Sequence, residues 1–114
     1  MLAVIFEVIP HATTKDEYLQ IAAELKPVLE QIDGFISIER FQSLANPGKL
    51  LSLSFWKDEE SIRQWRNTEM HRAAQKAGRA TIFEDYHLRI AQVVRDYGMY
   101  DRGEAPADSK LVHR

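Results

Sequence analysis

Cysteine is absent from the 114 residues, which removes disulfide frameworks, thiolate nucleophiles and thiolate metal ligands from consideration. A dominant charge is missing too. Lys and Arg number 15 against 17 Asp and Glu, both signs are interspersed, and the net charge is −2, so nothing favours nucleic acid or an anionic membrane as partner. No apolar run approaches the roughly 20 residues that span a bilayer. The apolar start, MLAVIFEVIPHATTKDE, lacks a basic n-region and a small-residue cleavage site, and reads as a first strand rather than a signal peptide. His11, His71, His87 and His113 show no tight ligand spacing, so no metal site is expected. A phosphate-cradling glycine loop, a G-x-S-x-G elbow and a dinucleotide fingerprint are all lacking. The expectation is one soluble, cytoplasmic domain.

What is present is regular. Leu2 to Ile9 is apolar except for Glu7 and is ended by Pro10 and His11, the pattern of a largely buried strand. Thr14 and Glu17 have the spacing of a capping box. Tyr18, Ile21, Ala22, Leu25, Val28, Leu29 and Ile32 then form a helical stripe, with Pro27 inside it expected to kink the helix or weaken one turn. Gly34 stops the helix. FISIERFQ (35–42) is the second strand, Asn46, Pro47 and Gly48 mark a turn, and KLLSLSFW (49–56) is the third strand. Asp58 is a good N-cap for the next helix, and Asn67 with Thr68 offers a second cap that would divide the segment into two short helices. Tyr86 to Tyr97 reads as the last strand. Residues 98–114 are polar and aperiodic and read as a mobile tail, leaving 2–97 as the domain.

The order β-α-β-β-α-β is that of a ferredoxin-like α+β fold, a four-stranded antiparallel sheet with two helices on one face. Both faces of the strands carry apolar side chains, however. Val4, Phe6 and Val8 oppose Ala3, Ile5 and Ile9, and Leu51, Leu53 and Phe55 oppose Leu50 and Trp56. Two helices cover one face only. Leaving large side chains wet forfeits roughly 1.5–3 kcal/mol each, so a homodimer with sheets packed face to face is expected.

The block GFISIERFQSLANPGKLLSLSFW, then Trp65, His71, Gln75 and Gly78, then DYHLRIAQVVRDY, resembles the antibiotic biosynthesis monooxygenase (ABM) domain family over about residues 2–97. The resemblance implies a dimeric α+β barrel of ferredoxin-like subunits. It also implies a cofactor-independent monooxygenase-like oxidoreductase that acts on a small electron-rich aromatic or enolisable compound. Heme-degrading oxygenases share the fold. The helix position that ligates iron in them is Gln75 here, and LAVIFEVI has no counterpart of their strand asparagine, so heme is possible but disfavoured and no cofactor is expected.

Trp65 matches the family's helix tryptophan, whose indole can face a substrate oxygen; it equally fits a packing role on the stripe of Ile62. His71 lies six residues on, roughly 120° away on an unbroken helix. A break near Asn67 lets the two converge, with His71 in a first turn that favours neutral imidazole, and they are the candidate catalytic pair. A structural histidine fits the same position. Gln75, Tyr86 and Phe41 are the candidate substrate-binding residues, and a surface amide is the plainer reading of Gln75. Arg40 and Arg89 would either neutralise a developing oxyanion or pair with Glu39 and Asp85. The alternative function is a non-catalytic binding protein for a hydrophobic small molecule or heme.

Overall fold

The computed structural model describes residues 1–67 and 82–112. Within them β1 (Leu2–Pro10), α1 (Lys15–Glu30), β2 (Phe35–Gln42), β3 (Leu50–Trp56), α2 (Glu59–Arg66) and β4 (Phe83–Gln92) follow in the order read from the sequence. All four strands join one antiparallel sheet ordered β2-β3-β1-β4, the ferredoxin-like topology. The expectations for His71 and Gln75 fall outside the described residues.

Period-two alternation sorts the sheet into two faces. Leu2, Val4, Phe6 and Val8 of β1 share a face with Leu50, Ser52, Ser54 and Trp56 of β3, and α1 and α2 pack on it. One cluster joins Val8, Leu50 and Ile82 to Tyr18 of α1. The other joins Trp56 to Leu29 of α1 and Ile62 of α2. Val8 and Trp56 are essentially inaccessible, at 0% and 1% exposure. Burial of an apolar side chain to that degree contributes roughly 1.5–3 kcal/mol.

Local chemistry fixes the helix ends. Asp58 caps α2, its carboxylate accepting from the Ser61 hydroxyl at 2.7 Å and the Ser61 amide at 2.9 Å, and these bonds hold its carboxyl below the usual range. Asn67 closes α2, and the second short helix expected beyond it falls outside the described residues. Gly34 turns the chain from α1 into β2 at φ +93°, a left-handed conformation that favours glycine. The helix α1 continues through Pro27 to Glu30, with Pro27 lacking the amide proton that would bond the Ala23 carbonyl.

Two local expectations are corrected. The capping box does not form: the Thr14 hydroxyl turns away from the α1 amides toward the Ile82 carbonyl (2.8 Å) and the His11 carbonyl (3.2 Å), tying the start of α1 to the start of β4. The last strand spans Phe83–Gln92, not 86–97, because β1 is its template. Leu2 pairs with Gln92, and the bond from the Val93 amide to the Met1 carbonyl follows it. Beyond the sheet, the aperiodic stretch carries a short helix, α3 (Ala107–Val112), and Arg102 stacks over the Tyr97 ring while donating to the Gly98 carbonyl.

The opposite face of the sheet carries Ala3, Ile5, Leu51, Leu53, Phe55 and Phe41, with Glu7, Glu39 and Arg89 as charged groups among them. The Glu7 carboxylate bridges Lys49 (2.8 Å) and Arg89. Arg89 therefore pairs with Glu7 on the neighbouring strand rather than with Asp85, whose carboxylate accepts from the Tyr86 amide instead. No helix among the described residues is long and apolar enough to cross a bilayer.

Candidate functional site

A cavity of about 220 Å³ lies between the helices and the sheet. Its existence traces to one strand. The helix-facing positions of β3 read Leu50, Ser52, Ser54, Trp56, so two small side chains stand between two large ones on a buried strand. Leu50 and Trp56 fill their ends of the layer, and the serines leave the middle hollow.

Strand register orders the floor into two rungs. One runs Arg40, Ser52, Phe6, Leu88 across β2, β3, β1 and β4; the next runs Ile38, Ser54, Val4, Ile90. The floor is thus polar toward β2 and β3 and apolar toward β1 and β4. Tyr18, Ile21, Ala22, Leu25 and Leu29 of α1 roof it, while Ile62, Trp65 and Arg66 of α2 close one end. Leu88 and Ile90 remain 48% and 39% exposed, so among the described residues the cavity is open along β4.

Polar groups in the wall are few. Ser54 Oγ accepts the Trp56 indole N–H at 2.9 Å. Arg40 presents a guanidinium whose Nε is buried without a hydrogen-bond partner. No carboxylate belongs to the described lining, although the chain as a whole is acidic. Among the described residues no three His, Asp or Glu side chains gather as metal ligands would.

The candidate residues from the sequence are dispersed by this geometry. Trp65 is in the cavity wall, half-buried beside Ile62. Tyr86 is on the helix side, as its parity requires, but one rung away from the cavity, with its ring 5.7 Å from that of Phe6 and 5.8 Å from that of Phe83. Phe41 is on the opposite face of the sheet, opposite Leu51, and does not line the cavity. His71 and Gln75 lie outside the described residues. Ser52 and Ser54 were not singled out from the sequence. The signal was there, in two serines at alternate positions of an otherwise apolar strand, where each small polar residue implies missing volume.

Comparison with known proteins places these features in context. The sequence profile described as antibiotic biosynthesis monooxygenase matches residues 1–77. The jasmonate monooxygenase ABM of Pyricularia oryzae is 54% identical over 93 residues, covering 82% of this chain and 43% of that protein. The chain spans about half the length of the curated relatives it matches. Among solved structures, a conserved protein of Methanosarcina mazei Go1 superposes with a TM-score of 0.73 at 20% identity, over 80% of this chain and 90% of that one. SnoaB, a cofactor-independent oxygenase of Streptomyces nogalater, superposes with a TM-score of 0.72 at 12% identity, over 83% and 94%. At those identities the two structures share the fold with this chain.

Proposed function

Because this chain belongs to the antibiotic biosynthesis monooxygenase family, we propose that it is a cofactor-independent oxygenase of a small enolisable or electron-rich compound held in the β3 cavity. The observation that carries this reading is the hollow itself, apolar, roofed by α1 and walled by Trp65. Its volume exceeds the roughly 150 Å³ that admits benzene and falls short of the roughly 300–1,000 Å³ typical of drug-sized ligands. A compact ring system suits it better than a porphyrin. The name of the fungal relative, a jasmonate monooxygenase, supports a small organic substrate.

The chemistry balances without a resident redox group. A base removes a proton from an activated CH₂, and the carbanion's electrons reduce dioxygen. A carbon–oxygen bond forms, the proton returns to the distal oxygen, and the hydroperoxide loses water to leave a carbonyl. One oxygen atom ends in the product and one in water, and the substrate supplies all four electrons. Apolar walls favour this course because they limit the dissipation into water of charge developing on the substrate. The described lining holds guanidinium, hydroxyl and indole groups and no neutral-pH base, so we assign the base to His71 on the sequence argument; Trp65 supplies the aromatic wall. A second copy of the chain is proposed to cover the opposite face of the sheet.

The test is oxygen uptake with anthrone and with the smaller ketone 2-tetralone, using ¹⁸O₂ to label the product. Uptake well above the buffer rate, one labelled oxygen in the product and loss of both in His71→Ala are expected. A rate equal to buffer, or one indifferent to His71→Ala, would remove this function.

A further inference from the structure

The cavity has a charged pole that oxygen chemistry does not require. Arg40 extends from β2 into a space whose walls include Val4, Phe6, Leu29 and Ile38, and its Nε is shielded from solvent with no acceptor. Only this Nε is shielded, the residue as a whole being half-buried, so its terminal N–H groups are the donors left for a guest. The contrast within this chain is direct. Arg63 is bonded to Glu60 by two N–H groups, and Arg89 is bonded to Glu7. Arg40 faces no carboxylate, since none lies in the described lining.

Directly across the ladder from Arg40 stands Ser52, a residue 7% exposed that lines the same cavity. The pair presents a planar fork of N–H donors and an adjacent O–H donor at one end of an apolar hollow. That donor set matches the two oxygens of a carboxylate. A phosphate would need more donors than this pole offers, and no glycine-rich loop is present in the sequence to add them.

We propose that the cavity selects small apolar carboxylates, with Arg40 and Ser52 anchoring the carboxylate and the ring or chain directed toward Phe6, Leu88 and Ile90. This rests on the reading of the cavity as the substrate site and names the substrate's second functional group. Arg40 is then a specificity-determining residue, idle in the empty protein and paired in the complex.

Binding of 2-naphthoate and its methyl ester, measured by titration calorimetry, tests the assignment, because the two differ in charge at one end only. The wild type is expected to bind the acid at least about tenfold more tightly than the ester. Arg40→Met is expected to abolish that preference while retaining ester binding, and Arg40→Lys to keep part of it. Equal affinity for acid and ester, a preference that survives Arg40→Met, or one abolished by Arg66→Met instead, would overturn the proposal. Acid preference without oxygen uptake from any ketone would leave the anchor standing and remove the oxygenase. Failure of both probes to bind would overturn the anchor together with the cavity as the substrate site.

Discussion

Trp56 donates its indole N–H to the Oγ of Ser54 across 2.9 Å, two positions apart on the same face of β3. The bond satisfies a donor that would otherwise be buried, and it fixes the bulky ring at the end of the cavity. Ser54→Ala leaves the indole N–H without its acceptor and is expected to destabilise the fold by about 1–3 kcal/mol. Chemical denaturation checks this. Combining Ser54→Ala with Trp56→Phe should cost less than the sum of the two, because the second change removes the orphaned donor.

Ser52 tests the origin of the cavity. Ser52→Leu places a large side chain in existing space, so the usual strain of overpacking is avoided and stability should fall by no more than about 1 kcal/mol. Ligand binding should fall at least about tenfold, the room having gone. Retained naphthoate affinity in a folded Ser52→Leu protein would mean that the ligand sits elsewhere.

Gly34 controls the join between α1 and β2. A Cβ at that position would stand 1.9 Å from Ser61 Oγ and 2.9 Å from Ser61 Cβ, on a backbone held at φ +93°. Gly34→Ala is expected to cost about 1–3 kcal/mol from the backbone conformation, and more from the contact. Adding Ser61→Ala should restore only part of the loss, because the Cβ clash and the left-handed backbone remain. Thermal melts of the two variants decide the point.

Glu7 makes stability depend on acid. Side-chain hydrogen bonds from Lys49 first, and then Arg89, hold its carboxyl at about 2, against an ordinary 4.5. A folded-state value below the unfolded one contributes stability that is complete above about pH 4.5 and is lost as pH falls through about 2. The wild type should therefore exceed Glu7→Gln in stability at neutral pH, and the gap should close between those values. A gap unchanged between pH 5 and 2 would contradict the pairing.

Leu53 and Ile5 face each other at the centre of the outer side of the sheet, where a second copy is proposed to sit. Light scattering of the wild type should give twice the chain mass. Leu53→Glu, which puts an unpaired carboxylate into that contact, should give the chain mass with the helix-side fold intact by circular dichroism. A monomeric wild type at micromolar concentration would remove the dimer.

Much of the fold was legible because it depends on nearest neighbours. The alternation of β1, the stripe from Tyr18 to Leu29, the Asp58 cap and the Gly34 turn are each set by residues within one or two turns of one another. What was not legible depends on pairing at a distance. Thr14 has the spacing of a cap, but the Ile82 carbonyl, 68 positions away, competes for its hydroxyl. Arg89 has Asp85 nearby in sequence, yet the sheet brings Glu7 to it. Arg40 was recognised as a cation able to meet an oxyanion. Its place inside the helix-side layer follows from the register with Ser52, after an irregularity between Phe35 and Ser37. Phe41, one residue on, points to the other face for the same reason. The cavity escaped notice because sequence patterns report where large apolar residues are, and a hollow is made by residues that are small.

That origin bears on how relatives of this protein can differ from one another. Substitution at 52 or 54 alters the size and polarity of the enclosed space while leaving strand order, register and both helices untouched. The fold can therefore be inherited unchanged as chemistry diverges, and reading these two letters in a new sequence gives a first measure of how bulky a guest it admits.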